Sequence, residues 1–347
     1  MDFLGRKESK FVAGIAILMM MFHHFFGFSE WLNGNTYIES LTICDISIER
    51  MIAAFGKLCV ALFAFSSGYV IWKSPEEYIC VRKRINRIIK FLFNYWIVFA
   101  LFLLYGLLVG DLLPKGVDFF YNLIGLRTGP TMEYVNVAFA WYVTFYVVLL
   151  LLSPLLLKIF VGNSLLKDFI LYLIIVFLLG LIPSVLWRTI LAPTSASVMG
   201  LLVAKWNVFD KLKNVYSKFS VWMFLVAILF VALIRQFLLL INVDLWGGDG
   251  VFAAIFIFAI VSILKKLRWG WLEKVLMLMG TYSMNLWFLH GIFFTGSRPL
   301  QIWLYYPEYP FLIFILGIIL LLPLAIGCDY IQKTLYRFIG DGIEKSK

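Results

Sequence analysis

Residues 11–28 read FVAGIAILMMMFHHFFGF, an apolar run that carries the adjacent pair His23 and His24 near its end. A run of this length can cross the hydrocarbon core of a bilayer as a helix. Ionisable side chains inside such a run are costly and usually serve a function. The chain has three histidines, and the third, His290, also lies in an apolar segment. The histidines are therefore the first candidates for chemistry.

The composition of the whole chain predicts a membrane protein. Of its 347 residues, 63% are hydrophobic and 14% are charged, whereas soluble domains are about 45–50% apolar. We expect an all-α membrane helix bundle that takes residues 1–347 as a single domain. The net charge of +10 indicates basic residues flanking membrane spans rather than nucleic-acid binding. The four cysteines show no metal or redox spacing, so we predict no metal and no bound cofactor.

Ten apolar segments are candidates to span the bilayer. They are residues 11–28, 51–72, 89–110, 137–157, 169–187, 191–204, 219–241, 250–264, 275–295 and 310–328. With the amino terminus inside, the inner segments carry 23 Lys and Arg residues and the outer segments carry five. This asymmetry predicts that both termini face the cytosol.

The predicted topology gives several ionisable residues a similar depth. His23 and His24 lie in the outer half of the first span, and His290 and Arg235 reach a comparable depth by the helical rise. Lys57 lies about two turns into the second span from its outer end. We expect these five residues to converge in the outer third of the bilayer. For Lys57 and Arg235, snorkelling from helix ends is the open alternative.

The first span resembles that of the acyltransferase 3 family, which are membrane enzymes that O-acylate sugars and polysaccharides with acyl-CoA. In that family an arginine, Gly-Ile-Ala and a hydrophobic run precede an essential histidine, with ten residues between the two. The run from Gly14 to Phe22 is similar, and the spacing selects His24. Ala13 occupies the arginine position. Lys10, one turn earlier, shares a helix face with His24 and is a candidate substitute cation.

Other segments resemble the family in the same order along the chain. They are Phe63–Tyr69, Arg84–Arg87, Ala140–Tyr142 with Leu152–Pro154, and Gly280–His290. The resemblance implies an acyl-CoA site at the cytosolic mouth, where guanidinium groups suit phosphates. The predicted donor contacts are Lys10, Arg84, Arg87, Ser67, Gly68 and Tyr69. The alternatives stay open: arginines also bind lipid headgroups, and small residues also serve helix packing.

The sequence thus predicts an integral membrane O-acyltransferase, specifically an O-acetyltransferase of a bacterial cytoplasmic membrane. Its acceptor would be a surface polysaccharide or the lipid-linked precursor. His24 is the predicted general base, and a transient acyl-histidine is the variant. His290 is a predicted proton relay, and His23 a supporting residue. Lys57 or Arg235 would stabilise the oxyanion, and Trp141 would contact the sugar or belong to an aromatic belt.

Two further classes remain as alternatives. A proton-coupled transporter or flippase could use the histidine pair as a proton relay, although no paired Gly/Pro breaks mark an inverted repeat. A glycan polymerase would need a larger outer loop than this chain has. The expected partners are membrane lipids, acetyl-CoA and a glycan acceptor, and a homodimer is one possible assembly.

Overall fold

The computed structural model describes residues 2–43, 45–126, 137, 140–182, 190–241, 248–267, 270–296 and 298–344. These residues are mostly helical, so the predicted all-helical fold is confirmed at this level. The described strands form one short antiparallel hairpin, Thr42–Ile43 (β1) and Ile46–Ser47 (β2).

The described helices vary widely in length. In chain order they are α1 (Arg6–Phe26), α2 (Ile48–Gly56), α3 (Cys59–Lys73), α4 (Pro75–Ile79), α5 (Val81–Val109), α6 (Val117–Leu123), α7 (Trp141–Ile159), α8 (Leu165–Gly180), α9 (Thr194–Lys205), α10 (Val208–Lys211), α11 (Lys213–Lys218), α12 (Val221–Leu240), α13 (Asp249–Lys266), α14 (Trp271–Thr281), α15 (Ser283–Leu289), α16 (Pro299–Tyr305) and α17 (Pro310–Glu344). Two 3₁₀ segments cover Ser29–Trp31 and His290–Phe294.

Helix boundaries follow local sequence signals. Ser164 caps α8, because its hydroxyl accepts a hydrogen bond from the Lys167 amide at 3.3 Å. Prolines open α4, α16 and α17, where a missing amide hydrogen costs nothing. Pro154 and Pro323 lie inside α7 and α17, and both helices continue past them.

Six helical stretches in the described part of the chain are long and apolar enough to cross a membrane. They are Arg6–Phe26, Ile48–Lys73, Val81–Val109, Trp141–Ile159, Val221–Leu238 and Pro310–Arg337. The second stretch combines α2 and α3. The expected count of ten and the orientation stay predictions. Residues 138–139 and 183–187, which belong to two expected spans, lie outside the described residues.

The chain divides into two compact units. Unit 1 contains Met1–Gly27, Ile48–Arg84 and Val147–Thr281, and unit 2 contains Phe28–Ser47, Ile85–Tyr146 and Tyr282–Lys347. Unit 1 therefore holds α1 to α4, the first turn of α5, most of α7, and α8 to α14. Unit 2 holds the β hairpin, most of α5, α6, the first turns of α7, and α15 to α17.

Glycines let two helix pairs of unit 1 approach closely. A Cβ atom on Gly68 of α3 would lie 1.7 Å from the Ser197 carbonyl oxygen of α9, and one on Gly200 would lie 2.0 Å from that of Phe65. Gly14 on α1 meets the backbone of α14 in the same way, 1.9 Å from the Leu276 oxygen. Such contacts are typical of helix packing inside membranes, where small residues bring backbones together.

Buried amides connect the helices of unit 2. The Asn94 side chain of α5 donates a hydrogen bond to the Asn285 side-chain oxygen of α15. Asn285 in turn donates to the Ala325 carbonyl of α17 at 3.0 Å. Because a buried amide without a partner is costly, this chain of hydrogen bonds fixes the three helices in register.

Candidate functional site

The histidine pair lies in the last turn of α1, in unit 1. Both side chains are half-buried, and their ring centroids are 5.0 Å apart. The Nδ1 atom of His23 is 2.7 Å from the Ala53 carbonyl oxygen. The Nδ1 atom of His24 is 3.1 Å from the Met20 sulfur, one turn earlier on the same helix. Each imidazole therefore has a partner at Nδ1.

These partners determine where each ring holds its proton. A carbonyl oxygen only accepts, so the neutral His23 ring carries its hydrogen on Nδ1 and has its lone pair on Nε2. A thioether is a weak acceptor, which favours the same tautomer for His24. This is the tautomer that general-base chemistry at Nε2 would require.

A break in the second span supplies the carbonyl that His23 uses. Helix α2 ends at Gly56 and α3 begins at Cys59. Within the break, the Lys57 amide donates to Ala54 at 3.4 Å and the Leu58 amide donates to Phe55 at 3.0 Å, which is the tighter 3₁₀ pattern. This local change in hydrogen bonding makes the Ala53 carbonyl available to a side chain.

Gly56 brings the break close to α1. A Cβ atom at this position would lie 2.6 Å from the Met19 carbonyl oxygen and 3.2 Å from the His23 Cβ. Lys57 follows directly and is half-buried. The break therefore brings Lys57 into the same region of unit 1 as the histidine pair.

Arg235 on α12 is held by an acidic residue that the sequence analysis missed. Its Nε and Nη2 atoms donate to the two carboxylate oxygens of Asp249, at 2.9 and 3.0 Å, and the Arg235 side chain is 1% exposed. Its Nη1 atom also donates to the Phe55 carbonyl at 3.3 Å. Arg235 thus joins α12 and the start of α13 to the break in the second span, and Asp249 balances its charge.

His290, the third predicted histidine, belongs to unit 2. It begins the 3₁₀ segment after α15, is fully buried, and has its Nδ1 atom 2.5 Å from the Trp287 carbonyl oxygen. The Trp287 ring packs on Tyr142 with centroids 4.9 Å apart. Trp141, for which the sequence left a sugar contact and an aromatic belt open, begins α7 beside Tyr142 and is half-buried.

The predicted donor arginines lie one turn apart at the start of α5. Arg84 donates from Nη1 to the Tyr78 carbonyl at 2.8 Å, and its buried Nε has no hydrogen-bond partner among the described residues. Arg87 hydrogen-bonds with the side chain of Tyr146. Arg84 thus has a donor left for a ligand, as a phosphate contact requires.

The other predicted donor residues have structural contacts. Lys10 is exposed, and its carbonyl oxygen would lie 1.8 Å from a Cβ atom on Gly280. The Ser67 hydroxyl donates to the Phe63 carbonyl at 2.9 Å, one turn back on α3. The space beside Gly68 is occupied by the backbone of α9, as described above. Tyr69 is buried and stacks with Phe209, at a centroid distance of 6.3 Å.

Comparison with known proteins matches nearly the whole chain to one family model. The model, described as an acyltransferase domain of the acyltransferase 3 type, matches residues 11–330. The matched range includes every predicted site residue except Lys10. Comparisons with curated proteins and with solved structures found no match. Among the described residues, no three His, Cys, Asp or Glu side chains are grouped so that they could hold a metal ion.

Proposed function

Because the match over nearly the whole chain shows that the protein belongs to this acyltransferase family, we propose that it is a membrane O-acyltransferase. The donor is acyl-CoA, specifically acetyl-CoA, and the acceptor is a hydroxyl of a surface glycan or of its lipid-linked precursor. The protein crosses a bacterial cytoplasmic membrane ten times with both termini in the cytosol. The 23-to-5 distribution of basic residues supports this orientation.

The observation that carries the proposal is the hydrogen bonding of the histidine pair. His24, selected by the ten-residue spacing, is the general base, and the Met20 sulfur at its Nδ1 favours the tautomer that carries its lone pair on Nε2. His23, held against the Ala53 carbonyl, supports the orientation of the last turn of α1. In a protein whose apolar helices surround the site, an imidazole is the base best suited to neutral pH.

The reaction follows from these roles. His24 Nε2 removes the proton from the acceptor hydroxyl as its oxygen attacks the thioester carbonyl, which gives a tetrahedral oxyanion. The Lys57 ammonium group is the candidate to stabilise this oxyanion. Collapse of the intermediate breaks the carbon–sulfur bond, and the imidazolium returns the proton to the CoA thiolate. The products are the acyl ester and CoA.

Arg235 has a different role in this proposal from the one its charge suggested. The Nε and Nη2 atoms of Arg235 already donate to the Asp249 carboxylate. The Arg235 guanidinium group is therefore less suited than Lys57 to stabilise an oxyanion. Its contact with the Phe55 carbonyl supports a positioning role at the break. Arg84, Arg87 and Lys10 are the candidate contacts for the donor phosphates.

Radiolabelled acetyl-CoA distinguishes this enzyme from a transporter. Purified protein in lipid nanodiscs should release free CoA from acetyl-CoA, slowly by hydrolysis and faster when a membrane glycan extract is added. Label should appear as an alkali-labile ester in the glycan fraction. A protein that moves label across vesicle membranes without releasing CoA would contradict the proposal and favour the transporter.

A further inference from the structure

An aromatic cage at one end of unit 1 holds the side chain of Phe3. The cage is formed by Phe209, Tyr216 and Phe258. Phe258 stacks on the Phe3 ring at 5.0 Å with an interplanar angle of 23°, while Phe209 and Tyr216 pack at steeper angles. The Phe3 side chain is 1% exposed. A flat ring thus fills a slot that has an aromatic floor and aromatic walls.

Charged side chains also surround the cage, although a phenyl ring alone needs no polar partner. The Asp210 carboxylate accepts a hydrogen bond from the Phe3 amide at 2.8 Å. Lys265 places its Nζ atom 5.1 Å from the centre of the Phe3 ring, and Lys266 lies 5.5 Å from the centre of the Tyr216 ring. On the residue before Phe3, the Asp2 carboxylate lies 3.8 Å from the Lys73 Nζ atom.

Asp2 and Phe3 present the recognition features of a nucleotide. They offer a flat ring for stacking, an N–H donor for a carboxylate, and a negative charge beside a lysine. An adenine nucleotide has the same three features. Its purine ring is flat, its exocyclic amino group is an N–H donor, and its phosphates are negatively charged. Stacking of a base on an aromatic side chain, with a cation nearby, is a common and sequence-tolerant mode of binding.

The segment that fills the cage is built to be exchangeable. Residues 2–4 precede Gly5, the N-cap of α1, and belong to no helix, so they can leave the cage without breaking a helical hydrogen bond. The Asp2 side chain is 57% exposed, and its contact with Lys73 is long for an ion pair. An exposed ion pair of this kind contributes little to holding the segment in place.

We infer that the cage formed by Phe209, Tyr216 and Phe258 is the adenine subsite for the acyl-CoA donor, and that Asp2 and Phe3 compete with the donor for it. Asp210 accepts a hydrogen bond from the adenine amino group, and Lys73 and Lys265 are further candidate contacts for the donor phosphates, in addition to Arg84, Arg87 and Lys10. This inference rests on the proposed function for the identity of the nucleotide. Lys265 and Lys266, at the end of α13, lie against the rings of Phe3 and Tyr216.

If Asp2 and Phe3 compete with the nucleotide, substitutions that weaken their contacts with the cage should tighten nucleotide binding. The probe is 3′,5′-ADP, the nucleotide end of CoA, titrated into purified protein by calorimetry. Phe3→Ala should tighten binding by at least about threefold, since the apparent dissociation constant is the intrinsic one divided by the fraction of open cage. Asp2→Asn, which leaves the cage contacts intact, should tighten it by a smaller factor. Unchanged or weaker binding in folded Phe3→Ala, or in Phe3→Leu should the alanine variant not fold, would overturn the competition.

Changes in the cage itself should act in the opposite direction. Phe258→Leu should weaken binding of 3′,5′-ADP by roughly tenfold because it removes the stacking surface. The matched control is Phe237→Leu on α12, where the side chain is 59% exposed and outside the cage, and which should bind normally. Normal binding by Phe258→Leu would overturn the assignment of the subsite.

Two comparisons separate this inference from the proposed function. Titration of 5′-ADP should give weaker binding than 3′,5′-ADP, and equal affinities would overturn the assignment to acyl-CoA. Acetyl transfer is measured separately on the same variants. Transfer with an unchanged KM for acetyl-CoA in Phe3→Ala overturns the subsite and leaves the acyltransferase proposal intact. Tighter nucleotide binding without any transfer retains the subsite and contradicts the proposed reaction.

Discussion

Asp249→Asn tests whether the ion pair with Arg235 stabilises the region around the histidines. The Arg235 guanidinium group is 1% exposed and meets both Asp249 oxygens at 2.9 and 3.0 Å. Asparagine keeps one acceptor oxygen but removes the negative charge. An uncompensated buried charge typically costs about 3–5 kcal/mol, so we expect the free energy of unfolding to fall by about 3 kcal/mol.

The double variant Arg235→Met with Asp249→Leu should recover most of this loss. Replacing both members of a buried ion pair by apolar residues is often neutral, because the desolvation cost disappears together with the attraction. We expect its stability to return to within about 1 kcal/mol of the native protein, with a coupling energy of at least about 2 kcal/mol between the sites. Methionine cannot donate to the Phe55 carbonyl, so acyl transfer should stay reduced even where stability is restored.

Unfolding by sodium dodecyl sulfate in lipid–detergent micelles gives the free energies, and labelled acetyl transfer gives the activity. Asp329→Asn is the matched control, since it removes one carboxylate from the exposed pair with Lys333 on α17, at 2.6 Å. An exposed pair of this type contributes about 0.3–0.5 kcal/mol. A loss for Asp249→Asn no larger than for the control, or additive losses in the double variant, would refute the reasoning.

Three other predictions concern packing, topology and the donor. Gly68→Ala should strongly reduce the yield of folded protein because its Cβ would meet the backbone of α9, whereas Gly327→Ala, with open space around it, should fold normally in size-exclusion chromatography. A reporter enzyme that works only in the cytosol should be active when it is fused after Lys347. Activity there of a reporter that works only outside the membrane would contradict the topology. Replacing Arg84 and Arg87 together by Gln should weaken binding of a CoA analogue at least about a hundredfold at about 1.5–3 kcal/mol per contact, and an unchanged dissociation constant would move the phosphates elsewhere.

The pattern of apolar segments predicted the helical fold well, because burial of an apolar stretch in lipid leaves the backbone few choices. The break at Gly56–Leu58 was not predicted. Residues 51–72 read as one continuous span, and the signal for the break, Gly56, depends on its fit against Met19 and His23. A fit of that kind depends on tertiary contacts, which the period of a single segment does not encode.

Asp249 was missed for a related reason. It precedes an apolar segment that was taken to begin at residue 250, and acidic residues do not enter the charge rule for topology. Its pairing with Arg235 depends on how α12 and α13 pack, so the sequence showed the cation without its partner. By contrast, Gly14 and Gly280 were noted as features of a family resemblance, and the structure gives their physical role, the close contact between α1 and α14.

The rate of acetyl transfer by His24→Ala tests the central claim most directly, that His24 is the general base. Protein purified in nanodiscs is mixed with labelled acetyl-CoA and glycan acceptor, and transfer is compared with the native protein and with His23→Ala. General-base catalysis contributes typically 10²–10⁴-fold, so His24→Ala should lose about that factor while it inserts and binds acetyl-CoA normally. His23→Ala should lose much less. Near-native transfer by His24→Ala, with the loss found in His23→Ala instead, would contradict the account.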